Sequence, residues 1–205
     1  MAATKNLDIT QGKTFTLVLR WETEPVAYKA ITAIQQTAPV RMAVAGHGAP
    51  DGWRGAVTSV KGMTEINAAD QAKLRDSDYH AITVIDANTV EFNDVNAAGF
   101  KPYASGGYLQ YNTPVDLTDF VARMEIKDKV GGTLLASADV ADAPLNILDI
   151  AIDNTKKTIT LTINATDTAA LTWKRGVYDL EMQSATGVVT ALITGTVSVT
   201  KEVTT

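Results

Sequence analysis

The sequence predicts an all-β fold: a β-sandwich with an inserted small β-barrel domain and one or two short helices. Three observations favour this fold class. Apolar residues recur at every second position in several segments, as in Phe15, Leu17 and Leu19. Threonines alternate with apolar residues in Thr158–Ile163, as is common on pleated surfaces. Glycines separate short segments of this kind, which is typical of strands joined by turns.

The first strand is predicted over residues 14–21, after a turn at Gly12, with Trp21 on its apolar face and therefore in the core. The same alternation returns in residues 120–126. Gly131-Gly132 then predicts a hairpin turn into a strand over 133–137.

Strands over 147–153 and 158–163 are predicted to pair around residues 154–157. Asn164, with Asp167 three residues later, predicts the N-cap of a short helix ending near Leu171. Trp173 is expected to seal the sandwich edge. The last two strands are predicted over 177–182 and 188–200, and Gly195 indicates a bulge or a bend in the second.

Residues 28–112 differ from their flanks, because their candidate strands are shorter and glycine is frequent. We predict an inserted domain over 28–112 within a discontinuous sandwich domain of residues 1–27 and 113–205. A helix of one or two turns is predicted over 67–75. The candidate strands are Ala30–Ala33, Val40–Ala45, Ala56–Val60, Ile82–Ile85, Val90–Phe92 and Gly107–Gln110.

Composition narrows the function classes. The net charge of −5 and the scattered basic residues argue against a nucleic-acid-binding surface. The absence of cysteine excludes disulfides, thiolate metal sites and cysteine nucleophiles. The start of the sequence lacks the apolar core of a signal peptide, and no stretch approaches the roughly 20 apolar residues that span a bilayer. We expect a soluble protein that is made in the cytoplasm and has no membrane partner.

An ordered series of motifs in the middle of the chain resembles the small β-barrel module of bacteriophage tail proteins, which is related to the first catalytic cysteine half-domain of ubiquitin-activating enzymes. The pattern is interrupted at Ala49–Trp53 and extended at Ala68–Asp78, where we expect protein-specific contacts. The motifs are Gly46-His47-Gly48, Gly62-Met63-Thr64-Glu65-Ile66-Asn67, Ala87-Asn88-Thr89-Val90-Glu91-Phe92 and Ala104-Ser105-Gly106-Gly107.

A second series in the flanking residues resembles the small β-sandwich of phage tail and baseplate proteins, including the N-terminal domain of baseplate upper proteins. In that family the domain attaches receptor-binding parts to the tail or neck. The motifs include Asp8-Ile9-Thr10-Gln11-Gly12-Lys13-Thr14-Phe15, Asp116-Leu117-Thr118, Asn164-Ala165-Thr166-Asp167, Gly176-Val177-Tyr178-Asp179-Leu180 and Gly195-Thr196-Val197-Ser198-Val199.

Together these resemblances imply a structural protein of the virion, an adaptor in the tail, baseplate or neck that attaches fibres, spikes or neighbouring subunits. Its partners would be other virion proteins and further copies of itself. The resemblance carries no catalytic residues and no cofactor, and so implies that the chain is not an enzyme. The alternatives are a host-surface carbohydrate-binding module of a tail protein and a tail hydrolase.

Three sets of residues could hold a site. Trp53 lies in a glycine-rich loop with Asp51 and Arg54, and an exposed Trp–Arg pair is typical of a protein-interface hot spot. Two interpretations of Trp53 stay open: contact with another subunit, or packing over the barrel. Tyr103 and Tyr108 are weaker interface candidates, and with Trp53 they are also the aromatic residues that a carbohydrate site would need.

His47 and His80, with Asp51, Asp76 and Asp78, could form a metal site of nitrogen and oxygen ligands. Against this, His47 is flanked by glycines in a turn and His80 is expected to open a strand. The aspartates that could supply a glycosidase pair are favoured at turns and strand ends for local hydrogen bonding. They are Asp139, Asp142, Asp149 and Asp153.

Overall fold

The computed structural model describes residues 2–138 and 145–202, and over these residues the chain is 52% strand and 6% helix. The predicted all-β class is confirmed. The chain forms two compact units, Met1–Trp21 with Asp116–Thr205 as unit 1, and Glu22–Val115 as unit 2. The sequence placed the corresponding limits at residues 28 and 112.

The strands, in chain order, are β1 (Ala3–Thr4), β2 (Leu7–Thr10), β3 (Phe15–Arg20), β4 (Glu22–Ala30), β5 (Ala33–Gln35), β6 (Val40–Ala43), β7 (Arg54–Lys61), β8 (His80–Asp86), β9 (Thr89–Phe92), β10 (Ser105–Pro114), β11 (Val121–Lys127), β12 (Leu134–Ser137), β13 (Asp149–Asp153), β14 (Thr158–Ile163), β15 (Arg175–Gln183) and β16 (Val189–Thr200). The α-helix α1 is Ala165–Ala169, and two 3-10 turns are Thr64–Ile66 and Asp76–Asp78. No helix in the described part of the chain is long and apolar enough to cross a membrane.

Unit 1 contains two sheets. One has the order β1-β16-β15-β11-β12, with β2 also paired to β16, and the other has the order β13-β14-β3. Each sheet buries one face: Leu180 and Met182 of β15 are fully buried, and so are Ile159 and Leu161 of β14. This alternation is that of a two-sheet sandwich.

Several elements of unit 1 follow the sequence prediction because their signals are local. β11 and β12 form the predicted antiparallel hairpin, and β13 and β14 form the other. Asn164 caps α1, since its side-chain oxygen accepts the Asp167 backbone N–H at 2.9 Å. The helix ends at Ala169, two residues before the predicted end at Leu171.

Gly195 does not mark the bulge. The register shift in the β15–β16 pair falls opposite Leu180 and Glu181, whereas Gly195 stays in register with Tyr178. The glycine has a different cause: a Cβ atom there would clash with the carbonyl oxygen of Lys5, where the N-terminal segment runs alongside β16 between β1 and β2. The Tyr178 hydroxyl donates to that same carbonyl at 2.7 Å.

Unit 2 is built on one seven-stranded sheet with the order β4-β10-β7-β8-β9-β6-β5. Its core includes Trp53, Val57, Phe92 and Leu109, all nearly or fully buried. The end strands β4 and β5 are not paired with each other in the described residues, so the predicted barrel is not closed. The pairing between β7 and β8 is short: only two residue pairs are in register, Arg54 with Ala81 and Gly55 with His80.

Two local predictions in unit 2 are wrong. Residues 67–75 form no α-helix, because their backbone groups bond to distant partners: Ala68 N–H donates to Val57 O, and the Asp78 carboxylate accepts from Ala69 and Arg75. The predicted strand Ala30–Ala33 is interrupted, because β4 ends at Ala30 and β5 begins at Ala33.

Candidate interaction surface

Two exposed tyrosines lie side by side on the sheet of unit 2. Tyr28 of β4 is 60% exposed and Tyr108 of β10 is 45% exposed. Their ring centroids are 6.4 Å apart, with the rings edge to face at 80°. The register explains the contact, because Tyr28 is opposite Gln110 and Tyr108 is opposite Ala30, which places the two rings diagonally on one face.

Arg54 of β7 is held in a fixed orientation beside this face. Its Nε is 2.8 Å from Glu22 Oε1 and its Nη2 is 2.9 Å from Oε2, a bidentate pair. Asn112 donates its side-chain N–H to Glu22 Oε2 at 2.9 Å, which fixes the carboxylate as well. The hydrogen bond to Glu22 is the main reason that the pKa of Arg54 is raised.

The Tyr79 ring packs against the arginine. The guanidinium carbon of Arg54 lies 4.8 Å from the centre of the Tyr79 ring, a cation–π distance. Burial is the main reason that the pKa of Tyr79 is raised, and the charge of Arg54 acts in the opposite direction. We name Tyr28, Tyr79, Tyr108, Arg54 and Glu22 the tyrosine patch. Only Tyr79 lies against the guanidinium; Tyr108 is opposite Thr58 of β7, four residues from Arg54 and so about 13 Å farther along the same face.

Trp53 belongs to the core and not to an exposed surface. Its side chain is fully buried, and its indole N–H donates to Asn112 O at 2.9 Å. The loop that contains Trp53 is hydrogen-bonded to β8: Gly52 N–H donates to Ile82 O, and Ile82 N–H donates to Trp53 O. Of the two interpretations that the sequence left open, packing within the unit is therefore the one observed.

The other interface candidates lie in different places. Asp51 is exposed, and its carboxylate accepts the Val84 backbone N–H at 3.0 Å. Tyr103 is half-buried against the core, with its hydroxyl 3.1 Å from both Ile31 O and Gly106 O. Of the predicted candidates, only Arg54 and Tyr108 belong to the tyrosine patch, and they lie at opposite ends of it.

Sequence reasoning missed Tyr28, Tyr79 and Glu22. The available signal was the alternation of Val26, Tyr28 and Ala30 against Ala27 and Lys29, which predicts that Tyr28 shares a face with Ala30. Which face is outward depends on how β4 pairs with β10, and that pairing is not visible in the sequence.

The proposed histidine–aspartate metal site is not assembled. His47 is buried, with its Nδ1 accepting from Ala49 N–H at 3.1 Å and its Nε2 2.8 Å from Asp86 O, so both nitrogens are engaged. His80 opens β8 as predicted, and its Nδ1 is 2.7 Å from Asp94 Oδ2. Across residues 2–138 and 145–202 no group of three His, Asp or Glu side chains lies close enough to hold a metal ion.

A cavity of about 350 Å³ opens beside His80, with Glu65, Asp94 and Phe100 among its lining residues. Two of its acidic groups are bonded inside the unit: Asp94 to His80, and Glu65 to the Lys101 backbone N–H at 3.3 Å.

The alternative of a glycosidase carboxylate pair, which the sequence did not favour, finds no support in the described aspartates. Asp149 and Asp153 both lie on β13, four residues apart and hence about 13 Å apart along the strand. Glycosidase carboxylates are about 5 to 9.5 Å apart. Asp139 and Asp142 lie outside the described residues.

No protein-family model and no curated protein matches this chain. The function proposed for it therefore rests on its own motifs and on the tyrosine patch.

Proposed function

We propose that the chain is a structural virion protein of a tailed bacteriophage, an adaptor in the tail, baseplate or neck that attaches fibres, spikes or neighbouring subunits. The observation that carries this proposal is the tyrosine patch. Tyrosine and arginine are the residues most enriched at the energetic centres of protein interfaces. Here they are grouped on the surface of a sheet, where the backbone is rigid.

The patch is suited to docking because its side chains are already ordered. Arg54 is fixed by the Glu22 carboxylate and the Tyr79 ring, and Tyr28 rests against Tyr108. A partner would therefore lose little side-chain freedom on binding, a cost of about 0.5–1.5 kcal/mol for each mobile side chain. Removal of one such anchor typically costs about 2 kcal/mol of binding free energy or more.

The division into two units also favours an adaptor, which has to bind at least two neighbours. Each unit has its own sheets and its own core. Each also carries its own set of phage-like motifs in the sequence. Many copies in one particle would add avidity to contacts that are individually modest.

The test is incorporation of variants into particles of the phage that carries this chain. Tyr28→Ala combined with Tyr108→Ala is expected to fold and to be lost from purified particles, because both rings are exposed and neither supports the core. Val121→Ala, at an equally exposed apolar residue of unit 1, is the matched control. Normal incorporation of the double variant would overturn the role of the patch, and absence of the wild-type chain from particles would overturn the virion assignment.

A second candidate function is recognition of host-surface carbohydrate. It is favoured by one observation, that two exposed tyrosine rings lie close enough for a sugar ring to contact both. Glycan-array binding by the wild-type chain, lost in Tyr28→Ala while particles still incorporate that variant, would favour this function over the adaptor. An array without any bound glycan would remove it.

A further inference from the structure

His47 is bonded through both of its ring nitrogens inside the loop that joins β6 to β7. It lies between Gly46 and Gly48 and is only 2% exposed. Both glycines have positive φ angles, 55° and 67°, a backbone conformation that few other residues adopt. This tight turn places the ring beside the backbone N–H of Ala49, two residues ahead.

The two hydrogen bonds of the ring fix its protonation state. The Ala49 N–H can only donate, so His47 Nδ1, at 3.1 Å, must carry a lone pair. The backbone oxygen of Asp86 can only accept, so His47 Nε2, at 2.8 Å, must carry the hydrogen. Both bonds are therefore satisfied in one form alone, the neutral imidazole with its hydrogen on Nε2.

A proton added to Nδ1 would break this arrangement. The imidazolium donates from both nitrogens, so an Nδ1–H would point at the Ala49 N–H and leave that buried amide without its acceptor. The charge of the ring would also be buried without a counter-ion, because no carboxylate in the described residues forms an ion pair with His47. Burial of an unpaired charge is strongly unfavourable.

The titratable groups nearest to the loop are engaged elsewhere. Lys29 Nζ donates to the backbone oxygen of the residue before the histidine at 3.1 Å, which brings a second positive charge to the same turn. The carboxylates of Asp86 and Asp51 each accept a backbone N–H, at 2.7 and 3.0 Å. Tyr111 of β10 donates its hydroxyl to the backbone oxygen of His47.

We propose that His47 is an acid-sensitive latch: the neutral ring holds residues 44–53 against the end of β8, and protonation of the ring releases them. The sign follows from proton binding. An exposed histidine takes up a proton near about pH 6.5, whereas the ring in the closed loop has no place for one. The closed loop is therefore favoured above about pH 6.5 and is weakened as the pH falls below that value.

Release of the loop would also affect the tyrosine patch. Trp53 is the last residue of the loop, and its indole N–H donates to the backbone oxygen of Asn112. The Asn112 side chain donates to Glu22, which orients Arg54. Acid would thus loosen the arginine end of the patch. The latch itself is a property of unit 2 and does not rest on the virion assignment, so either proposal can fail without the other.

The chain has two histidines, and the second responds to a proton in the opposite direction. His80 Nδ1 lies 2.7 Å from Asp94 Oδ2, and the His80 side chain is 26% exposed. A proton on His80 therefore gains an ion pair, whereas a proton on His47 breaks a hydrogen bond. His80 is for this reason the matched control.

The first test is hydrogen exchange at the Gly52 amide, which donates to Ile82 O in the closed loop. Protection factors are compared, because they remove the intrinsic dependence of exchange on pH. From about pH 7.5 to about pH 5.5 the wild-type factor is expected to fall about tenfold, since opening binds one proton. His47→Asn keeps an uncharged acceptor near the Ala49 N–H and takes up no proton, so its factor should stay constant. His80→Asn should lose protection as the wild type does.

The second test observes the ring of the wild type directly and needs no folded variant at position 47. A long-range ¹H–¹⁵N spectrum, assigned with His80→Asn, is expected to show His47 as the neutral Nε2–H form while the loop is closed. An equal loss of Gly52 protection in His47→Asn and in the wild type would overturn the latch. So would an imidazolium at His47 in a protein whose Ala49 amide resonance is unchanged.

Discussion

Trp53 and Asn112 link the core of unit 2 to its surface. The buried indole N–H of Trp53 donates to the backbone oxygen of Asn112, whose side chain in turn donates to Glu22, the residue that orients Arg54. The core residue and the surface arginine are adjacent in sequence, and their side chains end on the same short network. The stability of the tyrosine patch is therefore coupled to the packing of Trp53.

Replacement of Trp53 should test this coupling through stability. Trp53→Ala removes a fully buried side chain and is expected to lower the free energy of unfolding by about 3–5 kcal/mol. Urea denaturation followed by circular dichroism measures it. Tyr28→Ala, which removes an exposed ring, should cost far less and serves as the control. A loss below about 1 kcal/mol for Trp53→Ala would contradict the buried position.

Arg54→Lys should weaken partner binding more than folding. Lysine keeps the charge but cannot make the bidentate pair with Glu22, and it loses the planar contact with Tyr79. Because the Arg54 side chain is partly exposed, the loss of folding stability should be at most about 1 kcal/mol. Thermal unfolding and incorporation into particles would be compared for the same variant. A fully incorporated variant would indicate that orientation of the guanidinium is unimportant.

Asp116 should make unit 1 sensitive to acid. Its Oδ1 accepts from Asn154 Nδ2 at 3.0 Å and from Lys157 Nζ at 3.1 Å, and the bonds to Asn154, Lys157 and Thr118 hold the pKa of the carboxyl far below its usual range. A lowered folded-state pKa means that the stabilisation is present above the unfolded value of about 3.9 and is lost as the pH falls toward the folded-state value.

The free energy of unfolding of the wild type and of Asp116→Asn should therefore converge as the pH falls below about 4. Parallel curves over the whole acid range would contradict this role. Asp119→Asn, at an exposed aspartate of the same loop, is the matched control.

Gly195→Ala should loosen the N-terminal strands. The added methyl group would press against the carbonyl oxygen of Lys5, which also accepts the Tyr178 hydroxyl. Hydrogen exchange at the amides of β2 is expected to accelerate in this variant. Gly99→Ala, where nothing lies within 4 Å of the added carbon, should leave exchange unchanged. Unchanged protection of β2 in Gly195→Ala would show that the close approach of Lys5 to β16 tolerates a side chain.

The elements that sequence reasoning predicted well are those whose signals are short-range. β14 alternates between apolar and polar residues over six positions, and β3 does so except at Val18; that period indicates which side chains turn inward. The cap at Asn164 depends on a residue only three positions away. The helix expected over 67–75 failed because its amides bond to Val57 and Asp78, partners that no local pattern reveals.

The site was only partly predictable for the same reason. Arg54 and Tyr108 were selected by residue type, and they do lie in the patch. Trp53 was selected by the same criterion, yet the pairing of its loop with β8 turns the ring inward. Tyr28 depends on the register of two strands that are about 80 residues apart, which composition and spacing cannot supply.

The pairing of β1 and β2 with β16 has a consequence for the order in which the chain can fold during synthesis. Residues 3–10 have their strand partner near residue 200, and β3 has its partner at residues 158–163. Every strand of unit 2, in contrast, pairs within Glu22–Val115. On the ribosome, unit 2 can therefore complete its strand pairing first. Residues 3–10 remain unpaired until β16 has been synthesised.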